Sequence, residues 1–126
     1  MPSPSSTFNA AGNLLTSQSL AASGTVTANI DASAKFEVQV TIKNTPGAAI
    51  AATRGVKVEC FAGYGTGPSY TTIAPIIYQL LSATASTLES AEVYLPTGKW
   101  QIKLTNLDAT NAVTVELTTS TIDSIA

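Results

Sequence analysis

A chain of 126 residues fits one domain and can bury a single core without staples, since a domain of this size removes roughly two thirds of its unfolded surface from water. Charged residues are 11% of the total against about 25% in ordinary domains, the hydrophobic fraction is 44%, and the formal net charge is −2. Six scattered Lys and Arg residues make no basic patch for a phosphate backbone, no histidine exists to act as general base or metal ligand, and the single cysteine, Cys60, excludes an internal disulfide.

The first charge is Asp31, and the thirty residues before it are dominated by Ser, Ala, Thr and Asn. They lack the basic start and the apolar run of about 7 to 15 residues that a secretion signal needs; Leu14 and Leu15 stand as an isolated apolar pair. No run of about 18 apolar residues occurs elsewhere, so a soluble protein made in a cytoplasm is expected. Residues 1–24 offer few side chains to bury and read as an extended N-terminal arm, with the folded domain at 25–126. Phe8, Leu14 and Leu15 are its candidate anchors on a neighbouring subunit, and removing residues 1–20 is expected to leave the domain folded.

Beyond the arm, apolar side chains recur with period two, the pattern of half-buried strands. A first strand is expected near Thr25 to Ile30. The stretch KFEVQVTIKN then sets Phe36, Val38, Val40 and Ile42 on one face, and VKVECFAGY does the same with Val56, Val58, Cys60, Ala62 and Tyr64. Another strand is expected near Ile73 to Leu80, where Pro75 also permits an edge strand or a helical turn. AEVYL, WQIKLTNL and AVTVELT complete a set of seven. Between these runs, Asn44 to Gly47, Pro96 to Gly98 and Asp108 to Asn111 carry turn residues. The last of these is expected to close a hairpin between the Trp100 strand and the Val113 strand. Short strands at near-regular spacing predict an all-β fold, a single antiparallel β-sandwich of about seven strands, Ig-like or jelly-roll-like. Its predicted core includes Phe36, Val38, Val58, Trp100, Ile102 and Val115.

No constellation supports catalysis. The acids are spread singly apart from Glu89 and Glu92, which read as solvated rather than as a calcium site. Cys60 alternates with Val58 and Ala62 and reads as an inert core thiol. The glycine-rich stretch GYGTGPSY, Gly63 to Tyr70, lacks the lysine and following helix of a phosphate loop. It reads as a contact loop presenting Tyr64 and Tyr70 to a neighbouring subunit or a carbohydrate face, with Thr45 to Thr53 as a companion. The expectation is no enzyme, no cofactor, no metal, no nucleic acid, no membrane and no small-molecule substrate.

The uncharged arm from Met1, the Thr-rich strands and the terminal GKWQIKLTNLDATNAVTVELTTSTIDSIA together resemble small bacteriophage virion proteins, above all capsid decoration or cement proteins built on β-sandwiches. That resemblance implies a non-enzymatic role on the capsid surface, bridging major capsid protein subunits, with further copies of the chain as partners, for instance in a trimer. A phage tail, neck or fibre component is the alternative within that class. A carbohydrate-binding or adhesin module, with Tyr64, Tyr70 and Tyr78 stacking on sugars, is the alternative outside it.

Overall fold

The computed structural model describes residues 6–8, 12–47, 55–64, 69–70, 75, 77–82 and 86–125. Within them lie eight strands: β1 (Ser6–Phe8), β2 (Gly12–Leu20), β3 (Thr25–Pro46), β4 (Gly55–Tyr64), β5 (Ser69–Tyr70), β6 (Ile77–Ser82), β7 (Glu89–Asn106) and β8 (Val113–Ile125). All pairing is antiparallel, in the order β1-β8-β3-β7-β4-β5, with β2 also on β8 and β6 also on β4.

Two strands are far longer than the sequence periodicity suggests, and they make the architecture. β3 has 22 residues and β7 has 18, and they pair in two blocks: Thr25–Ala32 against Thr105–Gly98, then Glu37–Asn44 against Pro96–Glu89. The outer neighbours change between the blocks. β4 adds to the second half of β7, whereas β8 adds to the second half of β3. The sheet therefore curls into two layers. One contains β6, β4, the end of β7 and the start of β3; the other contains the start of β7, the end of β3, β8 and β2. Buried side chains from both layers, among them Val38, Ile42, Val115, Leu117, Val58, Ile102 and Leu104, form one cluster, the core of an antiparallel β-sandwich.

The bend between blocks has identifiable chemistry. Four residues of β3, Ser33 to Phe36, face the single residue Thr97 of β7. Thr97 Oγ1 donates to the Ala32 carbonyl at 3.1 Å, and Asp31 Oδ1 accepts both the amide and the hydroxyl of Ser33, closing a local turn. Gly98 has φ +134°, a backbone region closed to side-chain-bearing residues in practice. Through this irregularity the inward positions of β7 change from Val93 and Leu95 to Trp100, Ile102 and Leu104, from odd numbers to even. Pro96–Gly98 is thus not a turn between two strands; it is the point where one strand crosses between layers and changes phase. Trp100 lies under this corner, 5% exposed, its Nε1 donating to the Pro96 carbonyl at 3.1 Å.

Three further expectations are corrected. Phe36 falls in the four-residue bulge and is 54% exposed, so it is not a core residue, while Val38, Val58, Trp100, Ile102 and Val115 are buried. Asp108–Asn111 does not close a hairpin, because β7 and β8 are not partners; β3 lies between them in the sheet order. Residues 6–8 and 12–24, the described part of the expected arm, are not separate from the domain either. β2 pairs with β8 from Gly12↔Thr119 to Leu20↔Val113, β1 pairs with the end of β8, Leu20 is 3% exposed, and Leu15 packs on the core.

A polar hub holds the layer-crossing connections together. Asn106, 1% exposed at the end of β7, points its Nδ2 at the carbonyls of Leu20, Ala21 and Asn111 at 2.9 to 3.2 Å, and its Oδ1 accepts the Asp108 amide at 3.0 Å. Asp108, 3% exposed, uses Oδ1 to accept the amides of Thr110 and Asn111 at 2.8 and 2.7 Å, and its carbonyl accepts the Ser23 amide at 2.8 Å. The turn after β2 and the loop after β7, which both pass from one layer to the other, are tied to each other here.

Candidate functional site

The fold leaves two sheet faces and the strand edges to solvent. On the β6 layer, register places outward rows side by side: Tyr78, Glu59, Lys103 and Thr27 in one, and Leu80, Lys57, Thr105 and Thr25 in the next. Lys57 Nζ meets Glu59 Oε1 at 3.4 Å, and Gln101 Nε2 donates to Asn29 Oδ1 at 3.2 Å. The face is a polar ladder with an apolar rim, since Tyr78 and Leu80 on β6 are 60% and 55% exposed. On the opposite layer the outward face is mostly Thr, Ser, Gln and Glu. Among the described residues its one exposed large ring is Tyr94, whose hydroxyl donates to Glu92 Oε2 at 3.1 Å. That bond to a carboxylate raises the Tyr94 phenol above its ordinary value of 10.0.

The groups with chemical potential are committed to structure. Cys60 is fully buried, and burial pushes its thiol up to about 11, leaving no thiolate at neutral pH. Asp108 Oδ1 is occupied by loop amides, and Asp31, held below its ordinary 3.8 by the two Ser33 hydrogen bonds, closes the turn at the bulge. Among the described residues, no three His, Cys, Asp or Glu side chains lie close enough to hold a metal ion.

The residues singled out from sequence fall in different places. Leu15 is half-buried against the core of its own domain. Phe8 pairs through its backbone with Ile122, and Leu14 lies within β2; the side chains of both are outside the described residues. Gly63–Tyr64 pairs with Ser69–Tyr70, so Tyr64 and Tyr70 come close together, yet Tyr64 faces Ser69 and Tyr70 faces Gly63 in register. Residues 65–68 and most of the Thr45 to Thr53 stretch are outside the described residues; Thr45 and Pro46 belong to β3. The apolar rim on β6 was legible only as a strand. Its alternation of Tyr78 and Leu80 against Ile77, Gln79 and Leu81 gives the face but not which side is wet, because four of the five are apolar.

No protein-family model matches the chain, and no curated protein does. Solved structures do share the fold. A Xyl-CBM35 in complex with a glucuronic acid-containing disaccharide aligns with TM-score 0.51 and 15% identity over 84% of this chain and 71% of that one. A CBM35 from Cellvibrio japonicus Abf62 aligns with TM-score 0.50 and 14% identity over 84% and 70%. A family 35 carbohydrate-binding module from an environmental isolate aligns with TM-score 0.50 and 14% identity over 91% and 76%. At such identity the likeness defines the class of fold alone, an antiparallel β-sandwich.

Proposed function

We propose that this chain is a non-enzymatic structural protein of a virion, a capsid decoration or cement protein that binds the outer shell and bridges major capsid subunits. The observation that carries this reading is the surface: a sandwich with 11% charged residues, Thr- and Ser-rich outer faces and, among the described residues, five large apolar side chains held in solvent, Phe36, Tyr78, Leu80, Leu88 and Tyr94. Such a surface suits permanent coverage by neighbours, because little charge keeps free copies apart and the exposed rings supply contact area. Its mechanism would be mechanical. Each copy adds weak contacts across a subunit junction, many copies act together, and preferential binding to the assembled shell stabilises it by mass action. Because β1 and β2 pair with β8, this reading assigns the contacts to the exposed apolar side chains rather than to the first twenty residues. The test is co-sedimentation of the purified chain with shells of its own virus that lack it: saturable binding that raises the shell's resistance to heat supports the role, and absence of binding overturns it.

A carbohydrate-binding module is the second reading. It is favoured by Tyr78, a 60% exposed ring beside Glu59 and Lys103 on a sheet face, in a fold shared with family 35 modules. Glycan-array binding that disappears in Tyr78→Ala would replace the virion role with this one.

A further inference from the structure

We infer that β6 is a homotypic docking edge, where two copies of this chain join antiparallel, edge to edge, about a two-fold axis at Gln79. The comparison between edges carries the inference. Among the described residues, and setting aside the two-residue β5, the outer side of four strand segments is unpaired by any other strand: β6, the first half of β3, the first half of β7, and the β1–β2 line. Three of these carry the devices that block strand addition. The start of β7 has Glu89, Glu92 and Pro96, and the start of β3 has Asp31. β2 shifts register twice against β8 and contains Ser17 at φ 40°. β6 has none: IYQLLS contains no charge, proline or glycine, and it runs in unbroken register from Ile77↔Cys60 to Ser82↔Gly55.

The occupant follows from the symmetry of the strand. An antiparallel copy centred on Gln79 sets Tyr78 beside the partner's Leu80 and Leu80 beside the partner's Tyr78 on the outer face, and Ile77 beside the partner's Leu81 on the inner one. Aromatic–aliphatic cross-strand pairs of this kind are among the favourable ones. The flanking charges do not oppose it: the row that starts on Glu59 continues through Tyr78 and the partner's Leu80 to the partner's Lys57, so no like charges meet across the axis. Both rows are extended at once, and the exposed Tyr78 and Leu80 each gain an apolar neighbour across the axis. An isologous contact closes at two copies, so this edge makes a dimer and not the trimer that the family likeness implied.

The inference is independent of the virion role, because it is read on the purified chain. Sedimentation equilibrium of the full chain from about 5 to 300 µM is expected to show monomer passing to dimer and no larger species, since six residues a side is a small contact against the roughly 800 Å² per partner of a standard interface. The Tyr78→Lys/Leu80→Lys variant, altered at two exposed positions, is expected to stay monomeric over that range with Trp100 fluorescence unchanged. Gln79→Cys is expected to form a disulfide-linked dimer on mild oxidation, because the axis brings that position against itself, whereas Tyr78→Cys is not; the native Cys60 is buried and does not contribute. A wild-type chain monomeric to 300 µM, a dimer that survives the double lysine variant, or a wild-type dimer in which Gln79→Cys fails to cross-link would each overturn the proposal.

Discussion

Replacing Asn106 by alanine tests whether the layer-crossing connections are held by one side chain. The substitution removes a donor group shared by the Leu20, Ala21 and Asn111 carbonyls and the acceptor of the Asp108 amide, all at a residue 1% exposed. The Leu20 carbonyl and the Asp108 amide lose a partner in buried surroundings and the Asn111 carbonyl in half-buried ones, while the Ala21 carbonyl still accepts the Gly24 amide at 2.9 Å. At about 1 to 3 kcal/mol for each buried group left unsatisfied, discounted for relaxation and entry of water, the loss comes to roughly 2 to 4 kcal/mol. That is a large share of the roughly 5 to 15 kcal/mol that holds an ordinary domain together. Urea unfolding followed by the fluorescence of Trp100, the only tryptophan, reads it directly. The control is Gln101→Ala, which removes the exposed Gln101–Asn29 bond on the same strand and is expected to cost less than about 0.5 kcal/mol. A loss below about 1 kcal/mol in Asn106→Ala would refute the hub.

Three other outcomes follow from the structure. Deleting residues 1–20 strips β2 from β8 and uncovers Val113, Val115 and Leu117, so the truncated chain is expected to lose its cooperative urea transition; a stable sandwich of residues 21–126 would restore the reading of a separable arm. Gly55→Ala puts a Cβ inside the contact distance of the Leu81 carbonyl oxygen and should lower stability by about 1 to 3 kcal/mol through the β4–β6 pair, whereas Gly47→Ala, with open space around it, should be neutral. Burial raises the Cys60 thiol from 9.0 to about 11, so the folded chain keeps a proton that the unfolded chain releases: stability is undiminished below pH 9 and is lost as pH rises through 11. In Cys60→Ala that part of the alkaline loss should be absent, and comparison of the two pH–stability curves isolates it from the tyrosines and lysines.

The alternation of Val38, Val40 and Ile42, or of Val113, Val115 and Leu117, was enough to read strands and an all-β sandwich, because one face of each is buried and the other is wet. The errors sit where period two breaks without the strand ending. Val93 and Leu95 are out of phase with Trp100 and Ile102, and Pro-Thr-Gly lies between them, which from sequence alone has the signature of a turn. Gly98 instead absorbs the phase change inside one strand, a tertiary event that depends on β3 bulging opposite it. The Asp-Ala-Thr-Asn stretch misled similarly: its side chains do make a tight local loop, but whether that loop joins partners or crosses layers is decided by β3 inserting between β7 and β8. The N-terminal stretch has few apolar residues to announce burial, yet β8 offers a ladder of amides and carbonyls that even a Ser-rich segment can satisfy, with Leu20 and Leu15 adding the apolar contact. Of the candidate site, only the tyrosines were visible. An edge strand is distinguished from a central one by the absence of a neighbour, which no local pattern encodes.

The measurement that tests the central proposal most directly is the copy number of this chain in particles sedimented from its source, by quantitative mass spectrometry against the most abundant shell protein. A decoration protein repeated over the capsid lattice is expected at a ratio between about one third and one, as the symmetry of the shell requires. A ratio of a few per cent would place the chain in a tail, neck or fibre, and its absence from the particles would contradict the virion role altogether.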